Sequence, residues 1–283
     1  MKGYSQRVNR GGFTVASVHY TADPEKDTPE WLAKAKEGMS RSAWQREYEI
    51  NYEELSGTPV YGDFDESKHV LGAGYEKSRP LIRGWDFGYR HPACVFAQID
   101  SFDRLVVLDA IVGSDIPLHL WATRVLAHTR KKFPGCEKCE DYCDPAGSQK
   151  NDRGERSSVQ ILGDMGIYAA YSRSSIMRGI MLIQQLLLPR RDDKYGLVVS
   201  RECDDIIRSG FRGGYKFKEA REGFAPKEEP NKDGYYDHIF DALRYVVIMK
   251  FNFLTKTKEE ISAEDAEWEK NLLATYDPLV GVR

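Results

Sequence analysis

The stretch Leu81-Ile82-Arg83-Gly84-Trp85-Asp86-Phe87 is the first of three β-rich runs whose reading decides the fold; the others are 93–99 and 104–112. Short polar turns, Gly88-Tyr89-Arg90-His91-Pro92 and Asp100-Ser101-Phe102-Asp103, separate them. Apolar, β-branched and aromatic residues bounded by turn residues predict three consecutive hairpin-linked strands. Downstream the pattern alternates. Helices are expected at 117–131, 157–165, 175–188 and 203–209, interleaved with strands at 138–143, 167–171, 197–199 and 215–217, and a last core helix at 237–251. Such alternation adds a parallel section to an antiparallel meander, hence an α/β fold with a mixed central sheet flanked by helices.

Upstream, residues 1–20 are polar, with Gly11 and Gly12 before a strand-like 13–18. Thr28-Pro29-Glu30 is a helix start, Thr28 capping and Pro29 at the first helical position. Trp31, Leu32, Ala35, Trp44 and Tyr48 recur at helical spacing, so two helices broken near Gly38 and Ser40 are expected in an all-helical appendage over 1–60. Ser56-Gly57-Thr58-Pro59 marks a break, and turn residues place the linker at 55–78. The main domain is expected over 61–255, followed by an acidic tail, 256–283, whose 256–269 reads as an amphipathic helix.

At 283 residues the chain is long enough to bury a sizeable core, and 41% hydrophobic with 30% charged residues excludes wholesale disorder. No apolar run approaches the ~20 residues of a membrane span, and the N-terminus lacks the apolar core of a signal peptide, so a soluble, unsecreted protein is expected. A net charge of −3 excludes a globally basic nucleic-acid coat, so any DNA contact must use local patches. Five cysteines are an odd count at uneven spacing, which fits a reducing compartment better than a disulfide framework. Cys136, Cys139 and Cys143, with His128, allow a four-ligand zinc site to be drawn, but a structural site pairs two tight knuckles and Cys143 belongs to the strand that delivers Asp144.

Three aspartates suit metal binding. Asp86 closes the first strand, Asp144 follows the fourth, and Asp241 sits near the start of the last helix. Taken singly, Asp86 and Asp144 read as turn residues and Asp241 as a solvated helix position. The order of elements, however, is that of the RNase H-like fold, in which the first and fourth strands are neighbours, so Asp86 and Asp144 would meet at one sheet end and Asp241 would reach them from the helix. Carboxylates of this kind hold Mg2+ or Mn2+, and two such ions could activate the attacking water and stabilise the leaving oxygen of an in-line phosphodiester displacement. His238, three residues before Asp241, could ligate a metal, orient the water or carry a proton, or simply stand at a helix start. Asp237 reads as an N-terminal cap or dipole partner, and Asp109 as structural. Two basic groups are candidate DNA contacts: Lys150, Arg153 and Arg156 after Asp144, and Arg190, Arg191, Arg208, Arg212, Lys216 and Lys218 before the last motif.

Gly84-Trp85-Asp86-Phe87-Gly88, Tyr142-Cys143-Asp144-Pro145-Ala146, Leu197-Val198-Val199-Ser200 with Cys203 and Ile207, and Asp237-His238-Ile239-Phe240-Asp241-Ala242-Leu243-Arg244-Tyr245 resemble, in order and spacing, the nuclease domain of large terminase subunits from tailed bacteriophages. Thr28-Pro29-Glu30-Trp31-Leu32, Trp44-Gln45-Arg46-Glu47-Tyr48 and Gly57-Thr58-Pro59-Val60-Tyr61 resemble the helical segment that joins the packaging ATPase to that nuclease, so the resemblance spans most of 13–250. It implies a metal-dependent endonuclease that cuts concatemeric viral DNA, acting at the prohead in the host cytoplasm beside a portal protein, a small terminase subunit and an ATPase motor. Asp86, Asp144 and Asp241 match the family's acidic triad, and His238 a histidine of some members. No G-x-x-x-x-G-K-[ST] loop occurs, so the motor is expected on another chain or on a removed part. Two alternatives remain: another RNase H-like nuclease of resolvase or transposase type, and a non-catalytic DNA- or portal-docking module.

Overall fold

The computed structural model describes residues 3–8, 14–36, 44, 48–49, 58–148, 156–172, 174–190, 192–218, 229–251, 276–277 and 281–282. Lys150, Arg153, Arg191, most of the second expected linker helix and the 256–269 tail segment lie outside them.

The meander forms as its β-rich runs dictate: β4 (Leu81–Asp86), β5 (Ala93–Ile99) and β6 (Leu105–Val112) pair antiparallel in succession. Helix α3 (Leu118–Lys132) then returns the chain to β7 (Cys139–Cys143), which lies parallel to β4, and α4 (Ser158–Asp164) leads to the short β8 (Ala169–Ala170), parallel to β7. Helix α5 (Ile176–Leu186) crosses to β9 (Leu197–Ser200), parallel to β6 on the other side. With the edge strand β3 (Val70–Leu71), the sheet order is β3-β9-β6-β5-β4-β7-β8. Its β6-β5-β4-β7-β8 portion is the RNase H-like arrangement, a mixed sheet with helices on both faces. Helix α6 (Asp205–Ser209) and a wide turn, Gly210–Gly214, precede the last helix, α7 (Tyr236–Phe251).

Alternation along β4 sorts its residues between two cores. Ile82 faces α5 and α7, packing with Ile180, Ile183, Val246 and Val247, whereas Leu81 and Trp85 face α3 and α4 with Trp121, Val125 and Leu162. Arg83, also on the second face, is buried and gives its Nε and Nη2 to Asp141 of β7 at 2.7 Å each, while Trp85 Nε1 donates to the same carboxylate at 2.7 Å. This buried ion pair ties β4 to β7 from below. On the upper face Gly84 lets α7 settle directly on the strand: a Cβ there would stand 2.2 Å from the Ala242 carbonyl oxygen.

Three features differ from the sequence expectations. The N-terminal segment is not all-helical, because β1 (Tyr4–Val8) pairs antiparallel with β2 (Thr14–Val18) in a separate two-stranded sheet, where tyrosine, threonine and valine favour extended backbone. Helix α1 (Pro29–Lys36) does form, and Trp31, Trp44 and Tyr48 gather around Tyr20, with Trp44 stacked on Tyr48 at 4.5 Å. Within the stretch read as linker, α2 (Glu66–His69) precedes β3, with Asp65 as its cap. The expected strand 215–217 is reduced to bridges, Pro59 with Lys216 and Phe217 with Pro230.

Gly84→Ala is expected to destabilise the protein by about 1–3 kcal/mol, because the new methyl meets backbone rather than a movable side chain. Asp141→Ala should cost about 3–5 kcal/mol by stranding a buried guanidinium. Urea unfolding of each variant against wild type measures both.

Candidate metal centre

Parity and register carry Asp86 to the α7 side. Asp86 follows Ile82 and Gly84 at two-residue intervals, so it shares their face at the strand's C-terminal end. In the parallel ladder the last pair is Trp85 opposite Cys143, and Asp86 and Asp144 are the residues that directly follow them. The backbone turns immediately afterwards, with Asp144 Oδ1 accepting the Ala146 N–H at 2.8 Å. From above, the first turns of α7 bring His238 and Asp241: His238 Nδ1 donates to Asp86 Oδ2 at 2.5 Å, and Asp241 Oδ1 accepts from Arg244 Nη2 at 2.7 Å. Asp144 and Asp241 line one cavity of about 340 Å³, together with Ser172, Ser174, Lys232 and Arg244.

Charge accumulates here. Burial pushes the Asp86 carboxyl above the usual range and the negative charges of Asp241 and Asp144 add to this, while the hydrogen bond from His238 opposes them. That bond in turn raises the His238 imidazole, partly offset by its burial. Asp237 is buried, its carboxyl is raised chiefly by desolvation, and its Oδ1 accepts no hydrogen bond. The helix-capping role expected of it falls instead to Asp233, whose Oδ1 accepts the N–H groups of Tyr235 and Tyr236 at 2.9 Å and of Asp237 at 3.4 Å.

Hard carboxylate oxygens in excess, with one buried oxygen unmet, fit a divalent cation of the Mg2+ or Mn2+ type in donor chemistry. Among the described residues no three His, Cys, Asp or Glu side chains stand as a ready-made cage. In the bonds above Asp86 turns to His238, Asp241 to Arg244 and Asp144 to its own turn.

The zinc site drawn from the sequence is not assembled. Cys136 Sγ and Cys139 Sγ lie 3.3 Å apart, but Cys143 is buried four residues along the strand, about 13 Å away at strand rise, and His128 Nε2 is engaged with Asp109 Oδ2 at 2.9 Å. Asp109 has a structural environment, also accepting the Asp204 N–H at 3.2 Å. The basic residues divide as well. Arg208 pairs with Asp205, Arg212 with Asp205 and Glu66, and Arg156 with Asp164, while Lys216 is exposed between the buried Tyr215 and Phe217. None of these four lines the cavity with Asp144 and Asp241, whereas Lys232 does. Its signal in the sequence was the turn Asn231-Lys232-Asp233-Gly234 directly before the last motif.

No protein-family model matches the sequence, and neither does any curated protein. Solved structures do. A large terminase from a thermophilic bacteriophage superposes with a TM-score of 0.59 at 15% identity, over 78% of this chain and 52% of that one. The complex of the same terminase with ADP gives 0.59 and 15% over 80% and 53%. The Mn-bound nuclease domain of the bacteriophage SPP1 large terminase gives 0.45 and 16% over 68% and 98%. The chain thus spans about half the length of the thermophilic-phage terminase and shares its fold.

The His238 titration is expected to lie above the ~6.5 of a free imidazole and to fall in Asp86→Asn, since the Asp86 hydrogen bond is its largest support. A histidine whose folded value is raised stabilises below its unfolded value, so this contribution is lost as pH rises through the folded value. Histidine NMR titration of metal-free protein, wild type beside variant, reads the shift.

Proposed function

We propose that this chain is the nuclease part of a phage large terminase subunit, a divalent-metal-dependent endodeoxyribonuclease that cuts concatemeric viral DNA for genome packaging. The observation that carries the reading is that Asp144 and Asp241 line one cavity while Asp86, at the end of β4 beside β7, feels the negative charge of both. The superposition on the thermophilic-phage terminase supports the fold within which this convergence is read.

In this reading Asp86, Asp144 and Asp241 hold two ions, Mg2+ or Mn2+. Bound there, the ions would supply charge for activating water and for the leaving oxygen. In the same reading His238, hydrogen-bonded to Asp86, fixes that carboxylate and carries a proton for the reaction. Arg244 keeps Asp241 oriented from the buried side of α7. Lys232 contributes a cationic wall for the DNA phosphate, Arg156, Arg208, Arg212 and Lys216 lie outside that cavity as further contacts with double-stranded DNA, and Lys150 and Arg153 are assigned to the same role from the sequence. The portal protein, the small terminase subunit and an ATPase motor are its partners at the prohead in the host cytoplasm. No described helix is long and apolar enough to cross a membrane. A non-catalytic DNA- or portal-docking module is the second reading, favoured by the engagement of Asp86 and Asp241 with His238 and Arg244 in place of a preformed cage.

Plasmid DNA with Mg2+ or Mn2+ is expected to be nicked and linearised by wild type and spared with chelator. Asp86→Ala and Asp241→Ala should each lower the rate by about a thousandfold, the equivalent of several kcal/mol of lost transition-state stabilisation. Equal cleavage by the variants would remove the mechanism, and inactivity of all three under every metal would favour docking.

A further inference from the structure

Of the five buried side-chain atoms without a hydrogen-bond partner among the described residues, one is a carboxylate oxygen, which the metal-dependent reading leaves unused, and the following inference rests on that reading. We propose that Asp237 is a fourth carboxylate of the centre and holds, with Asp241, the second of the two divalent cations. Asp237 and Asp241 are four residues apart on α7, so their side chains share a helix face one turn apart. Both line a cavity of about 430 Å³ with Tyr215, Lys218 and Lys232. Asp237 is only 8% exposed, yet its Oδ1 accepts no hydrogen bond. A buried carboxylate oxygen without a donor is costly, and native structures rarely tolerate one without a ligand or a role.

Asp237 stands in the first turn of α7, where the helix dipole favours a carboxylate, and the Asp233 side chain bonds its carboxyl, yet Oδ1 is left without a donor. Capping of α7 is performed by Asp233, and the nearby cations have other uses: Arg244 bonds Asp241, and Lys218 bonds Glu229 at 2.7 Å. Lys232 makes no ion pair among the described residues, and it lines both this cavity and the one shared by Asp144 and Asp241. A cation between Asp237 and Asp241 would satisfy the unmet oxygen. A phosphodiester entering the cavity would meet the positive charge of the Lys232 ammonium as well as that of the cation. Asp241 lines both cavities, so it would hold that ion together with Asp237 while also serving the Asp86 and Asp144 side of the centre.

The test counts bound Mn2+ on the full chain by calorimetry and by electron paramagnetic resonance of free Mn2+, without DNA, beside plasmid cleavage. Wild type is expected to bind two ions and Asp237→Asn one, with at least a tenfold loss of cleavage. Circular dichroism of the metal-free proteins verifies folding, and Asp237→Ser replaces Asp237→Asn if the amide misfolds. Two ions bound by the variant with wild-type affinity would overturn the assignment. So would a wild type that binds a single ion; if that wild type still cleaves DNA the nuclease reading survives, whereas no binding and no cleavage would remove both.

Discussion

The close approach of α7 to β4 at Gly84 is the constraint on which the rest depends. A glycine in mid-strand weakens a sheet, but here the missing side chain is the space into which the backbone of Ala242 fits. Because the helix sits that low, residues one turn before Ala242 overhang the end of β4. His238 can therefore reach Asp86, and Asp241 comes near both Asp86 and Asp144. A second close approach holds the helix from its other side, where Arg244 lies across Gly179 of α5. The opposite face of β4 is secured independently by the Arg83–Asp141–Trp85 cluster. The strand that delivers the first aspartate is thus clamped from above by packing and from below by a buried, bidentate ion pair.

Such rigidity matters because the charges gathered there oppose one another. Asp86 and Asp237 are both buried, and both carboxyls are raised mainly by loss of water. A fold that sought stability alone would place apolar residues at those positions. Keeping carboxylates there costs stability that the two core clusters must supply, a trade typical of sites where chemistry is done. His238 and Arg244 relieve part of the repulsion through their bonds to Asp86 and Asp241.

Much of this was legible in the sequence, for physical reasons that differ by element. The meander was readable because 81–87, 93–99 and 104–112 are β-rich runs bounded by turn chemistry, and the strands observed begin and end within one residue of them. Helix α7 was equally clear from its long apolar stretch. Asp86 and Asp144 could be singled out because one closes a strand and the other follows one, but their adjacency depends on the parallel pairing of β4 with β7, which only the order of elements suggested. The edge strand Val70–Leu71 was too short to carry a period. Burial of Asp237 was hidden because Asp233 and Asp237 both precede or open a helix, and composition does not say which of them caps. The pairing of Arg208 and Arg212 with Asp205 was hidden too, since charge clusters look alike whether they face DNA or their own carboxylates.

The most direct measurement is anomalous diffraction from crystals of this chain soaked in Mn2+. The account predicts a manganese peak bounded by the carboxylates of Asp86, Asp144 and Asp241, with His238 still against Asp86 or displaced toward solvent. Manganese bound only at surface carboxylates, with Asp86 and Asp241 keeping their bonds to His238 and Arg244 at saturating metal, would contradict it.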